Sequence, residues 1–261
     1  MLGKLFKKEK KKVAVLGIDG VPYSLLTRFI KDGVMPNLAD IAKKGTLTAM
    51  TASIPEVSST SWSTFMTGVN PGKHGIYGFT ELQKGAYKWR FPNSGDMKSE
   101  TLWDIAGRNN KKSIVLNVPS TYPAKELKGI LTAGFVALDL KKATYPESAY
   151  EYLKGIGYKM DVDTRKAKES PDALAEDIDK TFIIRKNAIL YFLDNHEWDL
   201  FIGVVTETDR LHHYLWAALQ DERHPLHNFF LNFYKKLDEF IGEMYLRVGN
   251  DMPFIILSDH G

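Results

Sequence analysis

The sequence has no cysteine among its 261 residues, which excludes disulfide bonds and thiolate metal sites. Metal ligands, if the protein uses them, must then be histidine, aspartate, glutamate or hydroxyl side chains. No apolar run reaches the roughly 18 residues of a transmembrane helix. With 35 basic and 32 acidic residues the net charge is +3, which is too even to indicate a nucleic-acid partner.

The remaining composition is that of an ordinary globular protein, with 44% hydrophobic and 26% charged residues. A chain of this length can form one large α/β domain or two small ones. Its first residues are not followed by the apolar stretch of a signal peptide. We therefore expect a cytoplasmic protein.

Residues 1–12 carry six lysines and predict a basic, flexible tail ahead of the folded part. Leu2, Leu5 and Phe6 lie among these lysines, so a weak peripheral contact with anionic lipid is the alternative. The folded part is expected to begin at Val13.

Three apolar segments have the continuous hydrophobic character of buried parallel strands, and each ends close to a carboxylate. In open α/β sheets, ligands bind outside the carboxyl ends of such strands. Because those ends share one edge of the sheet, the three carboxylates should lie near one another. The segments are residues 13–18, 198–205 and 253–257, and the carboxylates are Asp19, Asp209 and Asp259.

Histidines accompany two of these carboxylates. His213 follows Asp209 by four residues, so a helix that begins near Thr208 places both on one face, within reach of one ion. His260 follows Asp259 directly. Carboxylates that gather without balancing charge repel one another, and a bound cation resolves that repulsion. Two imidazoles favour Zn²⁺ or Mn²⁺ over Ca²⁺.

Hydroxyl side chains are concentrated in residues 58–64, at the start of a helix that is predicted to close at Thr67 and Gly68. Hydroxyl residues at a helix start are usually caps. A helix N-terminus also favours an oxyanion or a phosphate group. A hydroxyl at that place can serve as a nucleophile if its surroundings lower its pKa.

Other segments lie between these features. The pattern predicts a strand over residues 45–53, a hairpin or excursion within residues 80–98, and a surface excursion or small cap over residues 136–170. His74 lies in a turn-rich loop, where it either binds a metal or makes a structural hydrogen bond that holds the loop. The interpretation as a structural hydrogen bond is favoured.

Five segments together resemble the type I phosphodiesterase/nucleotide pyrophosphatase family, which belongs to the alkaline phosphatase superfamily. The resemblance covers the chain from Val13 onwards and depends on the order of the whole set. The segments are Gly17-Ile18-Asp19-Gly20, residues 55–68, residues 71–76, Asp209-x-x-x-His213 and Ser258-Asp259-His260-Gly261.

The resemblance implies an alkaline-phosphatase-like α/β fold, a three-layer α/β/α sandwich around a mostly parallel sheet. Residues 13–261 would form the catalytic core, with a cap or excursion around residues 136–170. Members of the family carry a further histidine ligand downstream of the Asp-His-Gly strand. The core is therefore expected to be partial, incomplete at its C-terminus, and the chain a fragment.

The resemblance also implies a centre of two divalent metal ions, with Zn²⁺ as the expected ion and Mn²⁺ as the alternative. One ion would be held by Asp19, Asp259 and His260 together with the nucleophile hydroxyl. The other would be held by Asp209 and His213.

The nucleophile of the family lies nine residues before the threonine of a Thr-Gly pair, which here leads from Thr67 back to Ser58. A serine can serve, because the metal makes the alkoxide available. Thr60 is the alternative if the local register differs by two residues. Ser59 and Thr60, in the first helical turn, are the expected substrate-binding residues.

These implications predict a metal-dependent hydrolase of small phosphorylated substrates, a phosphodiesterase/nucleotide pyrophosphatase-like enzyme with a covalent phospho-enzyme mechanism. The alternatives are a phosphotransferase or phosphomonoesterase of the same superfamily and a non-catalytic relative that binds a phosphoryl ligand. Nucleotide specificity is not implied, because Phe79 stands where nucleotide pyrophosphatases often have an asparagine. His212, beside His213, is expected to support the ligands or to lie at the surface.

Overall fold

A computed structural model describes residues 12–249 and 251–261. The predicted basic tail, apart from Lys12, lies outside the described residues. The strands are β1 (Val13–Ile18), β2 (Glu81–Leu82), β3 (Trp89–Arg90), β4 (Ser113–Val118), β5 (Gly129–Ala133), β6 (Thr144–Tyr145), β7 (Leu200–Val205) and β8 (Phe254–Leu257). The helices are α1 (Tyr23–Lys31), α2 (Pro36–Lys44), α3 (Ser58–Thr67), α4 (Pro71–His74), α5 (Leu102–Arg108), α6 (Glu147–Gly155), α7 (Pro171–Asn195), α8 (Glu207–Gln220) and α9 (His227–Val248), with a 3₁₀ helix over Thr164–Lys168.

The main sheet has six strands in the order β6-β5-β4-β7-β1-β8. All neighbours in it are parallel except β6, which runs antiparallel to β5. The three strands that lead to the predicted carboxylates, β7, β1 and β8, are adjacent. Ile18 is level with Val205 and Gly17 with Leu257, so the three strands end at the same edge.

Helices cover both faces of this sheet, because successive residues of its central strands alternate between two hydrophobic cores. In β1, Leu16 and Ile18 pack with α1, α2 and α6 to α9 on one face. Val15 packs on the other face with Trp62 of α3 and Trp103 of α5. The predicted three-layer α/β/α arrangement around a mostly parallel sheet is thus confirmed.

The prediction of a strand over residues 45–53 is wrong. Its alternating β-branched and small residues are typical of a strand, but the segment has no regular secondary structure. None of its residues is buried, and Met50 is 69% exposed. A strand requires a neighbour for its backbone hydrogen bonds, and none of the strands in residues 12–249 and 251–261 pairs with this segment.

Residues 136–170 contain more regular structure than their sequence pattern predicts. They include β6, which extends the main sheet, and α6, whose Leu153 is fully buried in the larger core. The part that follows is fixed to α7 by Asp177, whose carboxylate accepts hydrogen bonds from Lys159 Nζ at 2.8 Å and Lys166 Nζ at 2.9 Å. The division of the chain into a core and a cap remains a prediction.

A helix that spans a bilayer is long and apolar. Across the described ranges, none of the helices has both the length and the apolar character to span a bilayer.

Candidate functional site

Three loops meet at the carboxyl edge of β7, β1 and β8. Asp19 follows β1 directly, and its carbonyl oxygen accepts a 2.6 Å hydrogen bond from Thr208 Oγ1 in the first turn of α8. The N–H of Gly20 donates to Asp259 Oδ1 at 3.1 Å. Asp209 lies one residue after Thr208, so these contacts bring all three predicted carboxylates to one place. All three are buried.

The start of α8 is fixed from the opposite side by a buried ion pair. Arg185 of α7 lies with its Nε 2.7 Å from Glu207 Oε1, and both side chains are almost wholly inaccessible to solvent. Such a pair contributes little net stability, but it resists displacement because either charge alone would be buried without a partner. Asp209 therefore stands on a rigid helix terminus.

His260 lies among these carboxylates. Its Nε2 is 3.6 Å from Asp19 Oδ1, 3.6 Å from Asp259 Oδ2 and 3.9 Å from Asp209 Oδ1. Ligand atoms of Asp19, Asp209 and His260 all lie within 4.8 Å of one another. Asp259 Oδ2 is buried and has no hydrogen-bond partner in the described part of the chain. An imidazole and three carboxylates, one of which has an unpaired buried oxygen, form a donor set that suits a divalent cation.

The electrostatics of this cluster also favour a cation. Burial raises the pKa of Asp259 to about 7. Burial likewise raises the pKa of Asp19 well above its usual range, and the neighbouring charges of Asp259 and Asp209 raise it further. The charged forms are thus disfavoured in the protein alone, and a bound divalent ion would stabilise them.

Ser58 opens α3 beside the cluster. Its Oγ donates to Asp19 Oδ1 at 3.3 Å and lies 2.9 Å from His260 Nε2. The helix is hydroxyl-rich and yet almost wholly buried, because hydroxyls bond back to its own carbonyls, such as Ser63 Oγ to the carbonyl of Ser59 at 2.6 Å. This packing fixes the first turn of α3 against the end of β1.

Ser59 and Thr60 follow Ser58 in that turn. Both are buried, and neither hydroxyl has a hydrogen-bond partner in residues 12–249 and 251–261. Ser59 lines a cavity together with Phe79, Ser120 and other residues. Thr60 is fully buried and makes no side-chain bond to the cluster. Ser58 is therefore the hydroxyl that the structure brings to the carboxylates.

The other histidines considered in the sequence, which are His213, His212 and His74, lie in three different surroundings. His213 Nε2 lies 3.3 Å from Asp209 Oδ1, at the exposed side of the cluster. His212 points elsewhere: its Nδ1 is 2.8 Å from the carbonyl oxygen of Gly20, its Nε2 is 2.7 Å from Tyr234 Oη, and burial lowers its pKa to about 4. The lowered pKa favours its neutral form, and its bond to Gly20 supports the loop after β1.

His74 has the structural role that the sequence favoured. Its Nδ1 accepts from the N–H of Ile76 at 3.1 Å, and its Nε2 lies 3.1 Å from Thr64 Oγ1 of α3. One ring nitrogen thus bonds within the loop, and the other holds the loop against α3. Burial lowers the pKa of this imidazole, which favours its neutral form.

Some residues of the site are not evident from the sequence. Trp62, fully buried in α3, donates from Nε1 to Asp19 Oδ2 at 3.0 Å. It follows Ser58 by four residues, a spacing that places both on one helix face and could have indicated it. Ser258 accepts from the N–H of Val21 at 2.9 Å and so joins the loops after β1 and β8.

Gly20 is required at this site for two separate reasons, which leads to a prediction. Its φ is +67°, and a Cβ there would lie 2.8 Å from Asp209 Oδ1. We expect Gly20→Ala to weaken Zn²⁺ binding by about 10-fold or more, because it displaces a proposed ligand. The left-handed backbone should also lower the free energy of unfolding by about 1–2 kcal/mol. Competition titration and chemical denaturation measure the two effects.

Gly33→Ala is the matched control. Its φ is +73°, and a Cβ there would have no atom within 4 Å. It should have the same cost of about 1–2 kcal/mol from the left-handed backbone, without the clash, and leave Zn²⁺ affinity unchanged. Equal Zn²⁺ affinities for the two variants would show that the contact with Asp209 does not matter.

The fold and the cluster define a class of protein: an α/β sandwich with a candidate metal centre and a serine hydroxyl at the carboxyl edge of its sheet. More specifically, the chain belongs to the type I phosphodiesterase/nucleotide pyrophosphatase family, which matches residues 13–261. Both the family resemblance and the alkaline-phosphatase-like fold are thereby confirmed.

Solved structures share this fold. Phosphonoacetate hydrolase from Sinorhizobium meliloti 1021, in complex with phosphonoacetate, is 18% identical with a TM-score of 0.70, and the match covers 96% of this chain and 56% of that chain. Murine ectonucleotide pyrophosphatase/phosphodiesterase 5 is 16% identical with a TM-score of 0.60, covering 96% of this chain and 57% of that chain. The chain thus spans little more than half the length of these proteins. No curated protein matches it.

Proposed function

We propose that this protein is a metal-dependent hydrolase of phosphate esters, of the phosphodiesterase/nucleotide pyrophosphatase type, and that it acts on small phosphorylated substrates. The observation that carries the proposal is the position of Ser58 Oγ, in contact with both Asp19 and His260 beside the unpaired oxygen of Asp259. Family membership and the name of the ectonucleotide pyrophosphatase/phosphodiesterase support a phosphate ester as substrate, and the name of the phosphonoacetate hydrolase supports more generally a small phosphorus-containing substrate.

Two divalent cations are proposed, Zn²⁺ by preference and Mn²⁺ as the alternative. Asp19, Asp259 and His260 would hold one ion together with Ser58 Oγ. Asp209 and His213 would hold the other. The sites adjoin, because Asp209 Oδ1 lies within reach of His260 as well as of His213. Bound there, the cations would lower the pKa of the serine hydroxyl and offset negative charge on the phosphoryl group.

The proposed reaction has two steps. Ser58 Oγ attacks phosphorus, so that an Oγ–P bond forms while the P–O bond to the leaving group breaks. The leaving oxygen keeps the electron pair of that bond and takes up, through solvent, the proton that Ser58 releases. Water then attacks the same phosphorus, breaks the Oγ–P bond and restores the Ser58 hydroxyl. The amino end of α3, with Ser59 and Thr60, would bind the phosphoryl oxygens.

Phe79 bears on the choice of substrate. It lines the cavity beside Ser59, and its ring makes an edge-on contact with Phe135 at a centroid distance of 5.0 Å. An aromatic ring offers no amide donor to a phosphate, so this wall suits an apolar group. Specificity for nucleotides is for this reason not part of the proposal.

Hydrolysis of two chromogenic esters tests the proposal. After treatment with a chelator, the protein should regain activity with Zn²⁺ or Mn²⁺ and should cleave bis-para-nitrophenyl phosphate faster than para-nitrophenyl phosphate. A faster reaction with the monoester would favour a phosphomonoesterase, and transfer to an added alcohol a phosphotransferase. Binding of inorganic phosphate without turnover of either ester would favour a non-catalytic relative and contradict the proposal.

Two further expectations concern the setting of the protein. The cytoplasmic location and the weak contact of the lysine-rich segment with anionic lipid remain predictions from the sequence.

A further inference from the structure

Asp209 divides its two carboxylate oxygens between different partners. Oδ1 faces the cluster, at 3.3 Å from His213 Nε2 and 3.9 Å from His260 Nε2. Oδ2 lies 3.2 Å from Nη1 of Arg210, the next residue in the chain. The contact of Oδ2 with Arg210 therefore bears on the orientation of Oδ1, which is the proposed ligand atom.

Arg210 is itself held on two sides. Its Nε and Nη2 donate to the two carboxylate oxygens of Asp161 at 2.9 Å and 2.8 Å, which is a bidentate pair. Its guanidinium carbon lies 4.2 Å from the centre of the Phe135 ring. The side chain is only 12% exposed. A planar group held at one edge by a carboxylate and at one face by a ring has little freedom to move.

Asp161 belongs to the segment that Asp177 fixes to α7. Arg185, which pairs with Glu207 at the start of α8, also donates from Nη2 to the carbonyl oxygens of Lys159 and Met160 at 3.1 Å and 3.3 Å. The position of Asp161 is thus determined by the packing of α7, and its carboxylate transmits that position to Arg210.

We propose that Arg210, clamped by Asp161, is a positioning residue that holds Asp209 Oδ1 towards the cluster and thereby increases the affinity of the site for its cation. The inference rests on the proposed function only in taking the cluster as a cation site. Carboxylate ligands of metals are commonly held by such hydrogen bonds, whose loss costs about 10- to 100-fold in affinity.

Charge alone would act differently. If Arg210 merely contributed a positive charge, its removal would strengthen the binding of a cation, and removal of the negative charge of Asp161 would weaken it. If the two residues position Asp209, both removals weaken binding. A pair of variants therefore separates the two roles by the sign of the change.

The experiment measures Zn²⁺ affinity by competition with a chromophoric chelator in Arg210→Met and Asp161→Asn. Both variants should bind Zn²⁺ about 10- to 100-fold more weakly than the parent. Arg210→Lys keeps the charge but cannot bridge Asp161 and Asp209 in the same way, so it should also bind more weakly. Thermal unfolding without metal establishes that each variant is folded. If Arg210→Met is not folded, Arg210→Lys decides between the two roles, because a charge role predicts parental Zn²⁺ affinity for it and a positioning role predicts weaker binding.

A second ion pair on the same segment provides the control. Arg165 and Asp163 form a bidentate pair with distances of 2.9 Å, and Arg165 is 85% exposed. Arg165→Met and Asp163→Asn make the same chemical changes away from the cluster and should leave Zn²⁺ affinity unchanged.

The possible results separate the positioning role of Arg210 from the proposed metal centre. Tighter binding by Arg210→Met, or parental affinity in both Arg210→Met and Asp161→Asn, overturns the positioning role while the proposed function stands. Failure of the parent protein to bind Zn²⁺ or Mn²⁺ overturns the proposed metal centre and this inference together.

Discussion

Replacement of Ser58 by alanine is expected to reduce phosphodiester turnover by at least about 1,000-fold, because removal of a nucleophile leaves only binding and electrostatic contributions. Ser58 Oγ is the hydroxyl in contact with Asp19 and His260, whereas Thr60 Oγ1 is fully buried without a partner in the described ranges. Thr60→Ala should therefore lose only a contribution to phosphoryl binding and keep far more activity than Ser58→Ala. Steady-state rates on bis-para-nitrophenyl phosphate measure both variants.

Ser61→Ala is the matched control for this experiment. Ser61 lies in the same helix, and its Oγ is 2.7 Å from Ser53 Oγ, away from the cluster. Acid quench of the parent during turnover should also trap a phosphoryl adduct on Ser58, detectable by mass spectrometry. Parental rates in Ser58→Ala would refute the nucleophile. A loss confined to Thr60→Ala would assign that role to Thr60.

The edge of the sheet could be predicted from the sequence because parallel strands obey a simple geometric rule. Apolar runs that end near Asp19, Asp209 and Asp259 indicate buried strands, and the carboxyl ends of such strands lie together. No comparable rule places the start of α3 against β1. Ser58 lies 39 residues after Asp19, and only the family resemblance connected the two before their hydrogen bond was seen.

Interactions that depend on tertiary packing were not predictable in this way. The pattern over residues 45–53 indicates a local preference for an extended backbone. A strand forms only if another strand pairs with it, and the sequence of the segment itself does not show whether such a partner exists. The contact of Arg210 with Asp161 joins α8 to a segment whose sequence lacks clear periodicity. Trp62 has the character of an ordinary core residue, and its bond to Asp19 depends on the angle at which α3 packs on the sheet.

Addition of Zn²⁺ is expected to raise the midpoint of thermal unfolding, and Asp259→Asn is expected to reduce that rise strongly, leaving what the ion at Asp209 and His213 contributes. At a concentration 100 times the dissociation constant, a ligand of the folded state stabilises it by about 2.7 kcal/mol, which is roughly 5–10 °C for a protein of this size. Scanning calorimetry at about pH 8, with chelator and then with Zn²⁺, measures the shift. That pH is above the Asp259 pKa of about 7, so the carboxylate form is favoured and can bind the ion.

Asp238→Asn provides the control for a buried carboxylate outside the cluster. Asp238 accepts from the N–H groups of Asn37 at 2.9 Å and Leu38 at 2.8 Å, at the start of α2. Its replacement should lower the unfolding midpoint and leave the shift with Zn²⁺ intact. In Asp259→Asn, the amide oxygen can still accept the N–H of Gly20, so the variant changes mainly the unpaired Oδ2. A parental Zn²⁺ shift in Asp259→Asn would therefore show that this oxygen is not a ligand.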